Sequence, residues 1–494
     1  MDETTPLLPD AATAPIPRDD QLHRVPSKDF VDFDPNGDDE NPIDWPRGYK
    51  WGIVTLLSFM AFTVTFTCIS VVPIANTIVD DLDHGKAASS SSVLLVTIWE
   101  LGEAAGPLLI APLSELYGRY PVINIANTLF TAFTILAALS PSTGVLIVAR
   151  ALTGVATATN VLSPAIVGDI FISEKRGTAM SLISLAPLIG GAAGPAIAGA
   201  VAQTLGWRKT LWMSAVLAGA CEVAFLIFFR ETYKVEILKR KAARLRRETG
   251  NLALKSEFDV DEGGHSWQLI GESVLRPLIV LKSSFVLQIL ALFGAFTFTY
   301  FYIMSTSLPP ILQQYYDFTP AATGFAFLAF SIGSTVSVIL CNMYLDKVYI
   351  KLRNAHKGIG QPEYRLPFII VGSILFPIPV LLYGWATQWH LHVSVLLFAV
   401  VLLGIFLMFS FLPLMAYVVD AFGLYSASAV SAVIVTRCLM GTFVPLATEP
   451  LVSKFGYGWG FTVFAAISVA TIPIPILIFR YGYKWRQLSK YTRD

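Results

Sequence analysis

Twelve runs of roughly twenty apolar residues constrain this chain more than any other feature, because a bilayer core about 30 Å thick takes a helix of that length to cross. They lie at about 51–73, 92–113, 121–140, 144–169, 178–202 and 210–229, then at 285–309, 322–345, 366–386, 391–416, 427–450 and 459–479. Only helices and closed barrels span lipid without stranding backbone polar groups, and runs this long are helical. The reading is an all-α membrane protein of twelve transmembrane helices. Hydrophobic residues make up 54% of the chain and charged residues 14%, which excludes an ordinary soluble domain. Lys plus Arg equals Asp plus Glu at 35 each, so no global field draws a nucleic acid. Cys68, Cys221, Cys341 and Cys438 each sit inside an apolar run, which reads as core packing and not as a disulfide framework.

An even number of spans puts both termini on one side. On that side the leader, loops and tail carry 29 Lys and Arg, against four (Lys86, Arg208, Lys209, Lys454) on the other. Basic residues are retained in the cytosol, so both termini are expected there. The first fifty residues are polar and acidic, from Asp2-Glu3 to Asp38-Asp39-Glu40, and do not read as a signal peptide. The expected layout is a largely disordered cytosolic leader (1–50), a six-helix bundle (51–229), a basic cytosolic linker (230–284), a second bundle (285–480) and a cytosolic tail (481–494). Within the linker, Ile237 to Glu248 has the pattern of a basic helix, either docked on anionic lipid or solvated. Span four ends Val167-Gly168-Asp169-Ile170-Phe171 and span ten ends Val418-Val419-Asp420-Ala421-Phe422, which points to two pseudo-symmetric halves.

The loop after span two reads Ala111-Pro112-Leu113-Ser114-Glu115-Leu116-Tyr117-Gly118-Arg119-Tyr120-Pro121. Gly118 allows a sharp reversal, and Glu115 and Arg119 are four apart. This resembles the loop signature of the major facilitator superfamily, Gly-x-Leu-x-Asp-x-x-Gly-Arg-Arg/Lys. Leu113, Gly118 and Arg119 align, and Ala111, Glu115 and Tyr120 depart. Span four carries Arg150-Ala151-Leu152-Thr153-Gly154, similar to the superfamily's Arg-x-x-x-Gly. Span five carries Gly190-Gly191-Ala192-Ala193-Gly194-Pro195-Ala196-Ile197-Ala198-Gly199, which resembles its antiporter signature. Asn41-Pro42-Ile43-Asp44-Trp45-Pro46, Arg230-Glu231-Thr232-Tyr233, Lys241 to Gly250, Pro362-Glu363-Tyr364-Arg365-Leu366-Pro367 and Pro473-Ile474-Pro475 narrow the resemblance to the fungal twelve-spanner drug:proton antiporter branch. That resemblance implies the major facilitator fold and proton-coupled export of a drug, secondary metabolite, polyamine or organic acid by alternating access. The implied partners are a small-molecule substrate, protons and the lipid bilayer, with one copy as the working unit and no cofactor or metal. The plasma membrane is the first expectation. Glu3-Thr4-Thr5-Pro6-Leu7-Leu8, an acidic dileucine pattern, keeps a vacuolar or endosomal membrane as the second.

An ionisable side chain at mid-span costs roughly 2.5 to 3.5 kcal/mol on insertion scales, so each needs a partner or a wet path. Glu100, Glu103, Arg150, Glu222 and Arg437 lie this deep. Glu100 and Glu103 are about 60° apart around a helix and share a face. Pairing of either with Arg150 is expected. It would give a site where proton and substrate compete for one acid, or else a static lock between spans two and four. Glu222 reads as a structural hydrogen bond, and Arg437 as a substrate contact or a binder of carbonyls in the second half. At the cytosolic ends, Glu115, Arg119 and Asp169, and Asp346, Arg353 and Asp420, are candidate gate pairs. By analogy with the superfamily, spans one, four, seven and ten nominate Thr65, Asn160, Tyr300, Tyr302, Phe406 and Gln288 as cavity residues.

Other classes fit less well. The six histidines fall in loops or at span ends, so no enzyme-like nucleophile or metal cluster is visible, and His390-x-His392 has no acid or cysteine beside it. No selectivity-filter signature suggests a channel. A non-transporting sensor of the same fold, and proton-coupled uptake of a sugar or organic acid, remain the alternatives.

Overall fold

A computed structural model describes residues 30–34, 37–84, 89–251, 253–256, 266–356, 360–489 and 491–492. The dileucine pattern at Glu3–Leu8 lies outside them. Among the described residues, ten helical stretches are long and apolar enough to cross a membrane. Two departures turn ten into twelve spans. Ser426–Arg486 reverses at Gly456, whose φ of 77° and ψ of 168° are open to glycine alone, so it holds spans eleven and twelve. Span four is interrupted and consists of Thr143–Val155 followed by Thr159–Ile170. The other spans are one (Arg47–Ile69), two (Ser89–Tyr117), three (Arg119–Ala138), five (Ser173–Leu205) and six (Trp207–Phe228). In the second half they are seven (Phe285–Tyr315), eight (Pro320–Ala326 with Leu328–Ala355), nine (Leu366–Leu375 with Pro377–Gln388) and ten (Val393–Phe422).

The two halves repeat one packing scheme. Span one lies on five, two on four and three on six; seven lies on eleven, eight on ten and nine on twelve. Between the halves, two packs on eleven and five on eight, contacts that exchange with each other under the same pseudo-two-fold. Large apolar side chains such as Ile125, Val216, Ile227 and Phe228 face outward, as lipid-facing residues do, while helix contacts run along small residues.

We call the end that carries the leader, linker and tail the basic end, and the opposite one the far end. At the far end a single apolar core crosses between the halves, joining Ile74, Ile78 and Leu95 to Ile303, Leu308 and Ile311. Toward the basic end each half keeps its own core, around Leu57, Ile123 and Ile166 in the first and Leu290, Ile369 and Val433 in the second. The halves are therefore closed together at the far end and separate at the basic end.

Part of the leader is ordered against the linker. Phe30–Val31 pairs in parallel with Lys255–Ser256, and an acidic stretch lies along the linker helix Lys234–Thr249. Asp32 meets Lys234 at 3.5 Å, Asp38 meets Lys241 at 2.5 Å and Glu40 meets Arg244 at 2.6 Å. Helical periodicity puts those three bases on one face. The chain's own acids therefore cover that part of the basic helix. A second helix, Ser266–Ser283, packs on spans two and eleven and so crosses from one half to the other.

Lys241, hydrogen-bonded to Asp38, holds that carboxyl below its ordinary 3.8. A lowered native pKa contributes stability fully above the unfolded value and loses it as pH falls through the native one. The clasp should hold at neutral pH and open as the pH falls below 3.8 and through the lowered native value. Spin labels on I43C and E248C are expected to report one short distance at pH 7 and a broad distribution at pH 3.

Candidate transport site

Spans two, seven and eleven meet at mid-membrane around one guanidinium. Arg437 Nη2 lies 3.4 Å from Glu103 Oε1 and 3.6 Å from Glu100 Oε2. The Tyr302 hydroxyl donates to Glu100 Oε1, and the guanidinium carbon lies over the Phe298 ring, 4.4 Å from its centroid. Glu100 is 1% exposed. The acids belong to the first half and Tyr302 and Arg437 to the second, so this cluster bridges the halves. Two carboxylates against one cation leave one surplus negative charge when both are ionised. A buried charge of that kind is costly unless a proton or another group balances it.

The cluster lines a cavity of about 250 Å³ that also includes Thr65, Trp99, Gly191, Phe301 and Phe330. From Arg437 a second cleft, of about 560 Å³, runs along the second half to Arg365 and Asp420 at the basic end. At the far end the way is shut. Thr97 Oγ1 donates to the Thr442 carbonyl at 3.0 Å and Thr442 Oγ1 donates back to the Thr97 carbonyl at 3.3 Å. Gln313 donates to the Pro73 carbonyl at 3.1 Å.

The expected pairing of Arg150 with Glu100 or Glu103 does not form. Arg150 donates to the Thr67 and Cys68 carbonyls at 2.9 and 2.7 Å, and to that of Leu95 at 3.5 Å. Its guanidinium carbon lies 4.9 Å from the Trp99 ring centroid. The reason is the end of span one. The last four carbonyls of a helix have no partner within it, and here the chain turns at Val72–Ile74. Arg150 supplies those donors, and Arg437 takes the place beside the glutamates.

Tyr300 is a second correction. It is buried against Phe376 and Phe464, accepts from Ser468 Oγ at 2.6 Å, and donates to the Phe464 carbonyl at 2.5 Å. Two residues are about 200° apart on a helix, so with Tyr302 in the cavity Tyr300 must face spans nine and twelve. The side chain of Asn160 lies outside the described residues. Gln288 donates to the Leu281 and Lys282 carbonyls at the helix end and is not in the cavity. Glu222 accepts from Thr128 at 3.2 Å, between spans three and six.

The glycines of span five do two jobs. Gly190 and Gly194 lie against the Phe62 and Phe66 carbonyls of span one, and Gly191 lines the cavity. Further along, a Cβ on Gly199 would touch the Pro320 carbonyl of span eight, and one on Gly324 would touch the Pro195 carbonyl of span five. This reciprocal Pro-x-x-x-Gly crossing is part of the far-end closure.

At the basic end each half has its own charged hub. Arg119 reaches Asp169 at 3.4 Å and Ser114 at 2.5 Å, while Glu115, four residues before it, is exposed. Thr232 donates to Asp169 at 3.2 Å. Glu231 accepts from the Arg119 and Tyr120 backbone N–H groups at 2.8 and 3.1 Å, and so caps span three. Gly118 has a φ of 90°, and any Cβ there would run into the Glu231 carboxylate. In the second half Arg365, and not Arg353, pairs with Asp420 and with Asp346, the latter at 3.1 Å. Arg365 starts span nine, between the ends of spans eight and ten, the same place that Arg119 has in the first half. Glu363 and Arg486 form a buried pair at 2.9 Å. Sequence reasoning used Glu231, Thr232, Glu363 and Arg365 only as family markers and missed their roles. Glu231→Ala removes a charged cap and is expected to cost about 2 kcal/mol, read as lower thermal stability of the purified protein in detergent.

Residues 53–445 match the family described as the Major Facilitator Superfamily. The chain is 34% identical to the efflux pump radE of Floropilus chiversii over 99% of its own length and 90% of that protein. It is 33% identical to the MFS transporter cpaT of Aspergillus oryzae over 94% and 93%. Among solved structures it is similar to the xylose transporter XylE from E. coli in a partially occluded inward-open conformation. The TM-score is 0.65 at 14% identity, covering 88% of this chain and 98% of that one.

Proposed function

The chain belongs to the major facilitator superfamily, and from that premise we propose that it exports a small organic molecule in exchange for protons. In this reading Glu100 and Glu103 bind the proton and Arg437 is their cationic partner. That the chain is a multi-pass membrane transporter and not an enzyme follows from the family. Direction, coupling and substrate class are our reading.

One observation carries it: a buried cluster of two acids and one base, shared by both halves, at the head of a cleft closed at one end and open at the other. When the halves rock, the cluster must break or rearrange, because its acids and its base move with different halves. Protonation neutralises the surplus charge and weakens the hold on Arg437, so the proton state biases which end is open. The positive-inside bias makes the basic end cytosolic, so this state faces the cytosol. Arg119 and Asp169, and Arg365, Asp346 and Asp420, are engaged within their own halves, which fits an open basic end. In the opposite state Glu115, Gly118 and the two hubs would form the cytosolic gate.

Export is favoured by the Gly-Pro segment of span five and by a relative named an efflux pump. A drug, secondary metabolite or organic acid is the expected cargo, with the plasma membrane as the site and one copy as the unit. Everted vesicles with an acid lumen test this. Accumulation of a fluorescent amphiphile that collapses with a protonophore supports export. Accumulation in right-side-out vesicles under external acid would assign proton-coupled uptake instead.

A further inference from the structure

We propose that the central cavity recognises neutral, flat aromatic molecules that carry a hydrogen-bond donor and a carbonyl acceptor side by side on one edge, aryl lactams being the simplest case. This rests on the export reading and specifies its cargo.

The argument begins with two polar atoms. Glu100 Oε1 is taken by Tyr302, while Glu100 Oε2 is buried without a hydrogen-bond partner among the described residues. The Cys438 thiol beside the Glu100 carboxyl is only a weak donor. Arg437 Nε is likewise buried and unpartnered. Leaving a buried donor or acceptor unmet costs more than a made bond returns. Both atoms belong to residues that line the cavity, where Arg437 Nη2 stands 3.6 Å from Glu100 Oε2, so a ligand edge reaches them by parting this pair. An N–H and a C=O on one edge of a ring would satisfy both at once, the N–H to Glu100 and the carbonyl to Arg437.

The walls set the rest of the molecule. Phe298 lies under the guanidinium, Phe301 lies 4.9 Å from Phe330 and 5.0 Å from Tyr302, and Trp99 is close by. Aromatic walls favour a flat ring system. The volume of about 250 Å³ is at the small end for ligand pockets. A cation would meet Arg437, and an anion would meet two carboxylates. A neutral donor–acceptor edge meets neither objection. It also explains exchange with protons for an uncharged cargo: a proton on Glu100 removes the acceptor that the ligand N–H requires.

The test uses the full-length protein in nanodiscs with 2-quinolone and N-methyl-2-quinolone, read by quenching of tryptophan fluorescence and by calorimetry. Wild type should bind 2-quinolone about tenfold more tightly than the methylated analogue, as loss of one charge-assisted hydrogen bond implies. Glu100→Gln should erase that preference, because its amide N–H₂ takes the place of the acceptor. Retained binding of the methylated probe shows that this variant is folded. Equal binding of both probes by wild type, or an unchanged preference in Glu100→Gln, overturns the proposal. Proteoliposomes with an imposed pH gradient separate the two readings. Binding with the preference but no movement defeats export alone, whereas equal movement of both probes defeats the recognition proposal alone.

Discussion

Glu103→Gln is expected to take proton-driven transport to background while the protein reaches the membrane at normal abundance. Glutamine keeps the length of the side chain and a carbonyl to accept from Arg437, so the contact at 3.4 Å can persist. What it removes is the surplus charge. Arg437 is then balanced by Glu100 alone, and a one-to-one buried pair has no net charge for a proton to neutralise. The pH dependence of transport should flatten, because the group that links proton binding to the movement of the halves is gone. Substrate counterflow, which needs the halves to alternate but no net proton movement, should survive. That contrast separates coupling from scaffolding. If Glu103 only braced span two against span eleven, driven transport and counterflow would fall together, and the coupling role would be lost.

The spans were legible because lipid thickness sets their length. The partner of the glutamates was not. Arg150 and Arg437 both lie deep in spans that touch span two, and a one-dimensional reading cannot rank lateral neighbours. The deciding fact was the end of span one, where the turn at Val72–Ile74 leaves carbonyls for Arg150 to serve. Pro73 carried that signal in the sequence, since a proline has no N–H to continue the ladder. The misplacing of Tyr300 was avoidable, because two residues 200° apart cannot both line one cavity. Arg365 and Glu231 lay inside motifs already singled out, but their roles depend on spans three and nine being packed beside the ends of their neighbours. Such contacts join residues far apart in sequence and leave no periodic trace.

The other large effect is mechanical, and it is expected from a single methyl group. Gly324 and Gly199 lie where spans eight and five cross, each backed on a carbonyl of the other span, Pro195 for the first and Pro320 for the second. The neighbours are backbone atoms, so no side chain can rotate away to admit a Cβ. Gly324→Ala should therefore prevent the far end from closing and hold the protein in the opposite state. Driven transport and counterflow should both fall to background, unlike the outcome for Glu103→Gln, because alternation itself is blocked. Asn76, in the far-end cleft between the halves, gives the readout. A cysteine placed there should react faster with a membrane-impermeant maleimide in intact cells carrying Gly324→Ala. Gly219→Ala is the control, since a Cβ there meets only the Thr131 methyl at 3.8 Å, and it should leave transport and labelling unchanged. If Gly324→Ala transports normally, the crossing of spans five and eight is not a point of closure, and the Gly-Pro segment of span five acts only through its contact with span one.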